Sequence, residues 1–379
     1  MPDWISLFGE MLIAASVAGC VYLIHASVAV RHFVRGRTTA RDGRGPVSVL
    51  KPLRGEDPGL YDNLASFFRQ DIDEFQIVFG VSDAEDPALP IVRRLCSEFP
   101  KVDVALVIDD RAAGSNPKIA NLRNMLPAAK HEILVISDSD MRVSPSYLGE
   151  LSWTLRQPGV ALVTCLYRGI PAGGFWSQLA CLYINHGFLP QAVVGAGLNV
   201  GAGCFGATLA LRRRTLEAIG GFAVAANTLA DDHALGNAVR SGGGHVVISR
   251  HLIDNIVVEP GLGSLFRHEL RWARTVRSVA PLGYAGSVIT HPMMLALFAL
   301  IVGAQPALAA GTLIVALALR IATAIANNRA LGLRQRATWL LPIRDALTFA
   351  VFLSSFFAQA VTWRDRTFRV RSDGTLVSN

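Results

Sequence analysis

Charge is scarce in this chain. Only 17% of its 379 residues are charged while 51% are hydrophobic, which excludes a disordered or heavily solvated chain and leaves more apolar residues than a soluble core uses. Membrane attachment is the first expectation. Paired cysteine motifs are missing as well: Cys20, Cys96, Cys165, Cys181 and Cys204 show no CxxC or CxxxH spacing and one lies in an apolar stretch. That pattern predicts reduced, structural thiols and no zinc site. The 36 basic residues against 29 acidic ones give a net charge of +7, but they gather beside apolar stretches and form no interleaved patch for nucleic acid. Anionic lipid is the partner this favours. Finally, no basic segment precedes the first apolar run, Leu12 to Val30. Asp3 and Glu10 lie before it and Arg31, Arg35, Arg37, Arg41 and Arg44 come after it. A cleaved signal peptide is thereby disfavoured. The run suits one bilayer-spanning helix with its N-terminus outside and the next segment in the cytoplasm.

Residues 45–262 read as one soluble α/β domain. Strands are expected at Pro46–Leu50, Phe75–Val81, Val102–Ile108, Ile133–Ser137 and Val160–Tyr167, with helical stretches between them at Leu60–Arg69, Pro90–Phe99 and Pro117–Met125. This alternation predicts a mainly parallel, Rossmann-like sheet with its ligand at the carboxyl ends of the strands. Residues 169–206 are too irregular to assign; their aromatic residues suit an ordinary core or the lining of an apolar pocket. Residues 263–290 form a basic amphipathic stretch. Within it Arg267, Arg271, Arg274 and Arg277 fall on one helical face, with Leu265, Trp272, Val276 and Val279 largely opposite, as for a helix lying in a membrane interface. Membrane helices are expected over 291–363: spans at Met293–Ala310 and Gly311–Ala326, then a re-entrant or in-plane pair over Ala337–Val361 that Pro342, Arg344 and Asp345 permit. A basic cytoplasmic tail, 364–379, closes the chain.

The residues that carry chemistry centre on Asp138 and Asp140, which end the apolar run from Ile133. In an extended chain alternate side chains share a side, so both carboxylates point into one space and repel unless a cation joins them. Mg²⁺ or a similar hard ion binds one or two protein carboxylates and completes its shell with phosphate oxygens and water. The plainer reading is a polar turn after a strand. Asp231 and Asp232 open a helical segment; one of them serves as an N-cap or as a general base, or does both. Asp83 lies just past the strand ending at Val81, at the same edge.

Six segments in order then carry a resemblance: KPLRGEDPGLYDNL at 51–64, VSDAEDPA at 81–88, GSNPKIANL at 114–122, SDSDMRV at 137–143, ADDHAL at 230–235 and LRW at 270–272. Nearly end to end, the chain resembles the ceramide glucosyltransferase family of membrane GT-A glycosyltransferases. The stretches VTCLYRGIPAGG and HELRWARTVRSVAPLGYAGSVITH are similar to its bacterial hopanoid-biosynthesis branch. The resemblance implies a GT-A domain in the bacterial inner membrane, its catalytic side cytoplasmic, using a UDP-sugar and a divalent metal (Mg²⁺ or Mn²⁺). It implies that Asp83 contacts the uracil or ribose, that Lys118 and Asn121 sit near the nucleotide, and that Asp138 and Asp140 hold metal and diphosphate. Asp232 is implied as the base, and Arg271 with Trp272 as holding the leaving diphosphate or closing the site. The implied reaction moves N-acetylglucosamine from UDP to bacteriohopanetetrol, with glucosylation of ceramide as the alternative. Two departures stand out. His268 occupies the position where the family usually has Gln or Arg, and Asp140 stands where animal ceramide enzymes tend to have glycine. A processive polysaccharide synthase fits less well for want of the full QxxRW and further spans, and a non-catalytic nucleotide-sugar-binding protein would not need every carboxylate.

Overall fold

Alternation along the central strands decides the architecture. Val47, Val49, Ile77, Phe79, Ile133 and Val135 pack into one apolar cluster, while Leu50, Val78, Leu134 and Ile136 pack into another. Strands with two buried faces read as continuous apolar runs and demand a helical layer on each side. The helices Leu60–Phe68, Ala88–Glu98 and Tyr147–Leu155 supply the first layer through Leu64, Val92 and Leu151. Pro117–Met125, Arg213–Ala218 and Asp231–Ser241 supply the second through Ile119, Leu216 and Leu235.

The computed structural model describes residues 3–36, 45–197, 203–303, 305–334, 337–357, 360–363, 366–370 and 376–378. Arg37, Arg41, Arg44, Arg364 and Arg371 of the predicted basic segments lie outside them. The chain divides into two units, one built on a sheet (Arg37–Ala172, Leu198–Val258 and Ala360–Asn379) and one of helices (Met1–Gly36, Gly173–Gly197 and Glu259–Gln359). The sheet unit holds β1 (Val47–Pro52), β2 (Phe75–Val81), β3 (Asp103–Ile108), β4 (Ile133–Ser137), β5 (Met141–Arg142), β6 (Val160–Pro171), β7 (Thr208–Arg212) and β8 (His245–Val257). Their order is β3-β2-β1-β4-β7-β6-β8-β5. From β3 to β4 every pairing is parallel, as predicted. Beyond β4 the sheet is mixed: β7 runs antiparallel to β4 and β6, β8 is parallel to β6, and β5 is antiparallel to β8. Where a basic tail was expected, β9 (Ala360–Trp363), β10 (Arg366–Val370) and β11 (Leu376–Ser378) form a small antiparallel sheet.

In the helical unit, three helices among the described residues are long and apolar enough to cross a bilayer: Asp3–Arg35, Pro306–Leu331 and Ala337–Ser354. Their outward faces carry Val21, Ile314 and Trp339, all exposed. The first helix packs closely because Gly19 has no side chain; a Cβ there would lie 2.2 Å from the Ile289 carbonyl. Ser16 Oγ donates to the Pro292 carbonyl at 2.8 Å and Ser27 Oγ to Asn327 Oδ1 at 2.9 Å, tying the same face to two further helices.

Three expectations shift. The helices after Pro292 run Pro292–Val302 and Pro306–Leu331, because Gly303 at φ +79° ends the first and Pro306 begins the second. Asn327 and Asn328 do not interrupt the longer helix, since both are buried. Residues 337–354 form one helical stretch in place of the predicted re-entrant pair. Arg344 and Asp345, read in the sequence as permitting that pair, each have a buried partner: Arg344 bonds Glu269 at 2.8 and 2.5 Å, and Asp345 bonds Arg320 at 2.8–3.2 Å. Paired charges turned inward do not prevent a helix from lying in apolar surroundings. The sharp break lies earlier, a 72° bend between Pro281–Thr290 and Pro292–Val302. The stretch left unassigned at 169–206 contributes Phe175–Tyr183 and Leu189–Gly197, joined by a π-helical turn at Ile184–Phe188, to the helical unit.

Candidate active site

Asp138 and Asp140 do not share a space through strand alternation. Strand β4 ends at Ser137, and the chain makes a turn in which the Met141 amide donates to the Asp138 carbonyl at 3.4 Å. Both sides of that turn are fastened. The Ile256 amide of β8 donates to the Asp140 carbonyl at 2.9 Å, Ser139 Oγ donates to Asp57 Oδ2 at 2.9 Å, and Asn255 Nδ2 donates to Asp140 Oδ2 at 2.8 Å. Beneath it lies Lys51, fully buried at the end of β1. Its Nζ donates to the Asp138 carbonyl at 2.5 Å and stands 3.8 Å from the centre of the Phe67 ring. Burial pulls Lys51 down to about 7, against the opposing pull of Asp138 and Asp140.

Lys118 joins this turn to the second pair of carboxylates. It sits in the first turn of the Pro117–Met125 helix, whose cap is Asn116: Asn116 Oδ1 accepts from the Lys118 and Ile119 amides at 3.0 and 3.2 Å. The buried Asn116 also donates Nδ2 to the Thr228 carbonyl at 3.0 Å, so one side chain sets the helix against the loop leading to Asp231. Lys118 Nζ lies 2.7 Å from Asp138 Oδ1 and 3.6 Å from Asp231 Oδ2. Burial works against its charge, but Asp138, Asp231 and Asp232 outweigh it and hold the ammonium above its ordinary range.

Neither Asp231 nor Asp232 is the helix cap. Ala230 takes that position, and both aspartates fall in the first helical turn. Asp232 Oδ2 accepts from the Gly206 amide at 2.8 Å and Oδ1 from the His233 amide at 2.7 Å. Burial first, and the charge of Asp231 second, push its carboxyl up to about 6. A carboxylate tuned toward neutrality is suited to taking a proton.

Divalent metal fits the other end. Burial and then the charge of Asp138 push Asp140 up to about 6, and its side-chain partner, the Asn255 amide, is neutral. Among the described residues no cluster of three or more His, Cys, Asp or Glu side chains is arranged for a metal. Two carboxylates completed by phosphate oxygens and water are the Mg²⁺-like arrangement.

The remaining predicted residues are placed differently. Asp83 is exposed just beyond β2, and its Oδ1 accepts from the Glu85 amide at 2.9 Å. Asn121 is turned to the sheet: Nδ2 donates to the Gly80 carbonyl at 2.8 Å, and a Cβ on Gly80 would meet Asn121 Oδ1 at 2.3 Å. Arg271 and Trp272 lie on the Leu262–Val279 helix of the helical unit. Its buried residues are Leu265 and Glu269, whereas Val276, expected on the apolar side, is half exposed. His268 Nδ1 lies 2.8 Å from Glu259 Oε1, and its ring meets Trp272 edge-on at 4.4 Å. Sequence reasoning passed over Lys51, Asn116 and Asn255. Asn116 alone left a signal, standing directly before Pro117 at the start of a helical run.

A parallel-to-mixed sheet bearing a carboxylate turn at the carboxyl end of its central strand defines a GT-A-type nucleotide-sugar fold. The same fold is found in the mannosyltransferase PcManGT from Pyrobaculum calidifontis, a complex with GDP-Man and Mn²⁺, at a TM-score of 0.54 and 20% identity over 93% of this chain and 99% of that one. The profile of Glycosyl transferase family 21 matches residues 11–376, and the chain belongs to that family. Among curated relatives, it is 27% identical over 236 residues to Ceramide glucosyltransferase 1 of Caenorhabditis elegans, covering 62% of this chain and 50% of the relative. It is 25% identical over 268 residues to Ceramide glucosyltransferase 3 of the same organism, covering 69% and 58%. The matches therefore span between 50% and 58% of the length of those relatives.

Proposed function

We propose that the chain transfers a sugar from a nucleotide diphosphate to a hydroxyl of a membrane lipid in one inverting displacement. The observation that carries this reading is the run Asp138–Lys118–Asp231, with ammonium-to-carboxylate distances of 2.7 and 3.6 Å, ending beside Asp232. Asp138 and Asp140 hold Mg²⁺ or Mn²⁺ and the diphosphate of a UDP-sugar. Asp83 contacts the uracil or ribose, Lys118 lies by the diphosphate, and Asn121 stays near the nucleotide by holding the end of β2. Asp232 accepts the proton of the lipid hydroxyl as that oxygen attacks the anomeric carbon. Arg271 and Trp272 are assigned to the leaving diphosphate, for which a guanidinium is well matched. The metal, when bound, neutralises charge on that leaving group. An α-linked donor then gives a β-glycoside.

Residues 45–262 serve as the catalytic domain, 263–290 as an interfacial helix, and 1–32 with 291–363 as membrane helices. Arg31 and Arg35 at the end of the first helix favour a cytoplasmic catalytic side in a bacterial inner membrane. Two acceptors have support from different observations. The stretches at 163–174 and 268–291 are similar to the hopanoid branch and favour N-acetylglucosamine on bacteriohopanetetrol. The curated relatives are named ceramide glucosyltransferases and favour glucose on ceramide. Mass spectrometry of lipids from cells with and without the gene separates them: loss of an N-acetylhexosaminyl hopanoid supports the first, and loss of a hexosylceramide supports the second. An unchanged lipid profile contradicts both.

A further inference from the structure

We infer that Lys118 competes with the divalent cation for Asp138, so that metal binds well only when a nucleotide diphosphate draws the ammonium away. The inference rests on the assignment of Asp138 as a metal ligand and deepens it. Lys118 Nζ lies 2.7 Å from Asp138 Oδ1, where a cation bound to that carboxylate would meet it. Two cations sharing one carboxylate oxygen repel each other, and the Lys118 side chain, only 16% exposed, is partly withdrawn from the water that would damp that repulsion. Asp140 is held differently: its partner is the neutral amide of Asn255, which lends hydrogen bonds but no charge. One arm of the pair is therefore open to a metal and the other is occupied by an ammonium.

The structure also provides somewhere for that ammonium to go. Asp231 Oδ2 is buried and has no hydrogen-bond partner, yet it lies 3.6 Å from Lys118 Nζ. A small rotation of the lysine stem exchanges Asp138 for Asp231. The backbone need not move, because Asn116 caps the helix at Lys118 and Gly114, at φ +91°, lies tight against the Ala226 carbonyl. Lysine suits such a role, being a compact point charge on a flexible four-carbon stem. A diphosphate beside the pair supplies negative charge that offsets the repulsion between the metal and the displaced ammonium, so metal and nucleotide each strengthen the binding of the other.

The test measures Mn²⁺ binding to the full chain in detergent, by titration calorimetry and by the electron spin resonance of free Mn²⁺, without nucleotide. An opposite charge at this range biases a carboxylate by about one to three powers of ten. Lys118→Met is accordingly expected to bind Mn²⁺ roughly tenfold or more tightly than the parent, and Lys118→Arg to stay near the parent. Adding UDP should tighten Mn²⁺ binding in the parent far more than in Lys118→Met. Lys118→Gln is the second neutral variant if the methionine form does not fold. Equal or weaker Mn²⁺ binding in the neutral variants, with binding abolished by Asp138→Asn, overturns the competition and leaves the metal site standing. Failure of every form to bind Mn²⁺, with or without UDP, overturns the metal site and the competition together.

Discussion

Replacing Asp232 by Asn removes the proposed base while keeping shape, and the two consequences of that change have opposite signs. General-base assistance is worth about 10²- to 10⁴-fold, or about 3 to 5 kcal/mol of barrier, so turnover should fall into that range. Stability should not follow it. The folded-state carboxyl is raised to about 6 from 3.8, so the fold holds its proton where the unfolded chain has released it. Asp232 thus destabilises the fold above pH 6, by up to about 3 kcal/mol, and the penalty fades as pH falls through that window. Asparagine removes this penalty but keeps only one acceptor for the Gly206 and His233 amides, a loss of about 1 kcal/mol. The melting temperature at neutral pH is therefore expected to hold or rise while the rate collapses. In the parent the rate should follow the ionised fraction of Asp232, about 90% at pH 7 and about 9% at pH 5. The assay is UDP release in detergent or nanodiscs across pH 5 to 8, beside thermal melts of both forms. A variant that keeps more than about a tenth of the parental rate, or a parent with a flat profile below pH 6, refutes Asp232 as the base.

Lys51 titrates in the opposite sense. Its folded value of about 7 lies below the ordinary 10.5, so its charge penalises the fold below pH 7 and the penalty disappears toward pH 10. Parent minus Lys51→Met in melting temperature should rise across that interval, and a constant difference contradicts the buried charge; turnover should drop as well, because the Asp138 carbonyl loses its donor. Arg344→Met orphans a buried Glu269 and should cost about 3 to 5 kcal/mol, read as a lower melting temperature in detergent. Glu269→Leu combined with Arg344→Met should recover most of that loss, and no recovery would mean that packing of the arginine stem matters more than its charge.

The parallel half of the sheet was readable because doubly buried strands are apolar throughout and the helices between them keep their own period. Asp83 and Asp138 could thus be set at the same strand ends from sequence. Strand direction beyond β4 was not readable, since β7 pairs antiparallel to both β4 and β6 through long-range contacts, and β5 is only two residues long. Lys51 was hidden for a different reason. Lysine is almost never fully buried without a partner, and its partners, the Asp138 carbonyl and the Phe67 ring, are distant in sequence. The same blindness let Arg344 and Asp345 stand as permitting a re-entrant pair, when Glu269 and Arg320 accommodate them inside the helical unit. Asn121 shows the converse limit: a residue inside a family motif whose carboxamide supports the neighbouring strand through Gly80.

The most direct measurement is product analysis with the purified full chain, Mn²⁺, UDP-glucose or UDP-N-acetylglucosamine, and a total bacterial lipid extract supplemented with ceramide and bacteriohopanetetrol. The expected result is UDP release matched by a membrane lipid that gains one sugar in β linkage, slowed about 10²- to 10⁴-fold by Asp232→Asn. UDP release with no glycosylated lipid, or sugar built into a soluble polymer, would contradict transfer to a lipid hydroxyl.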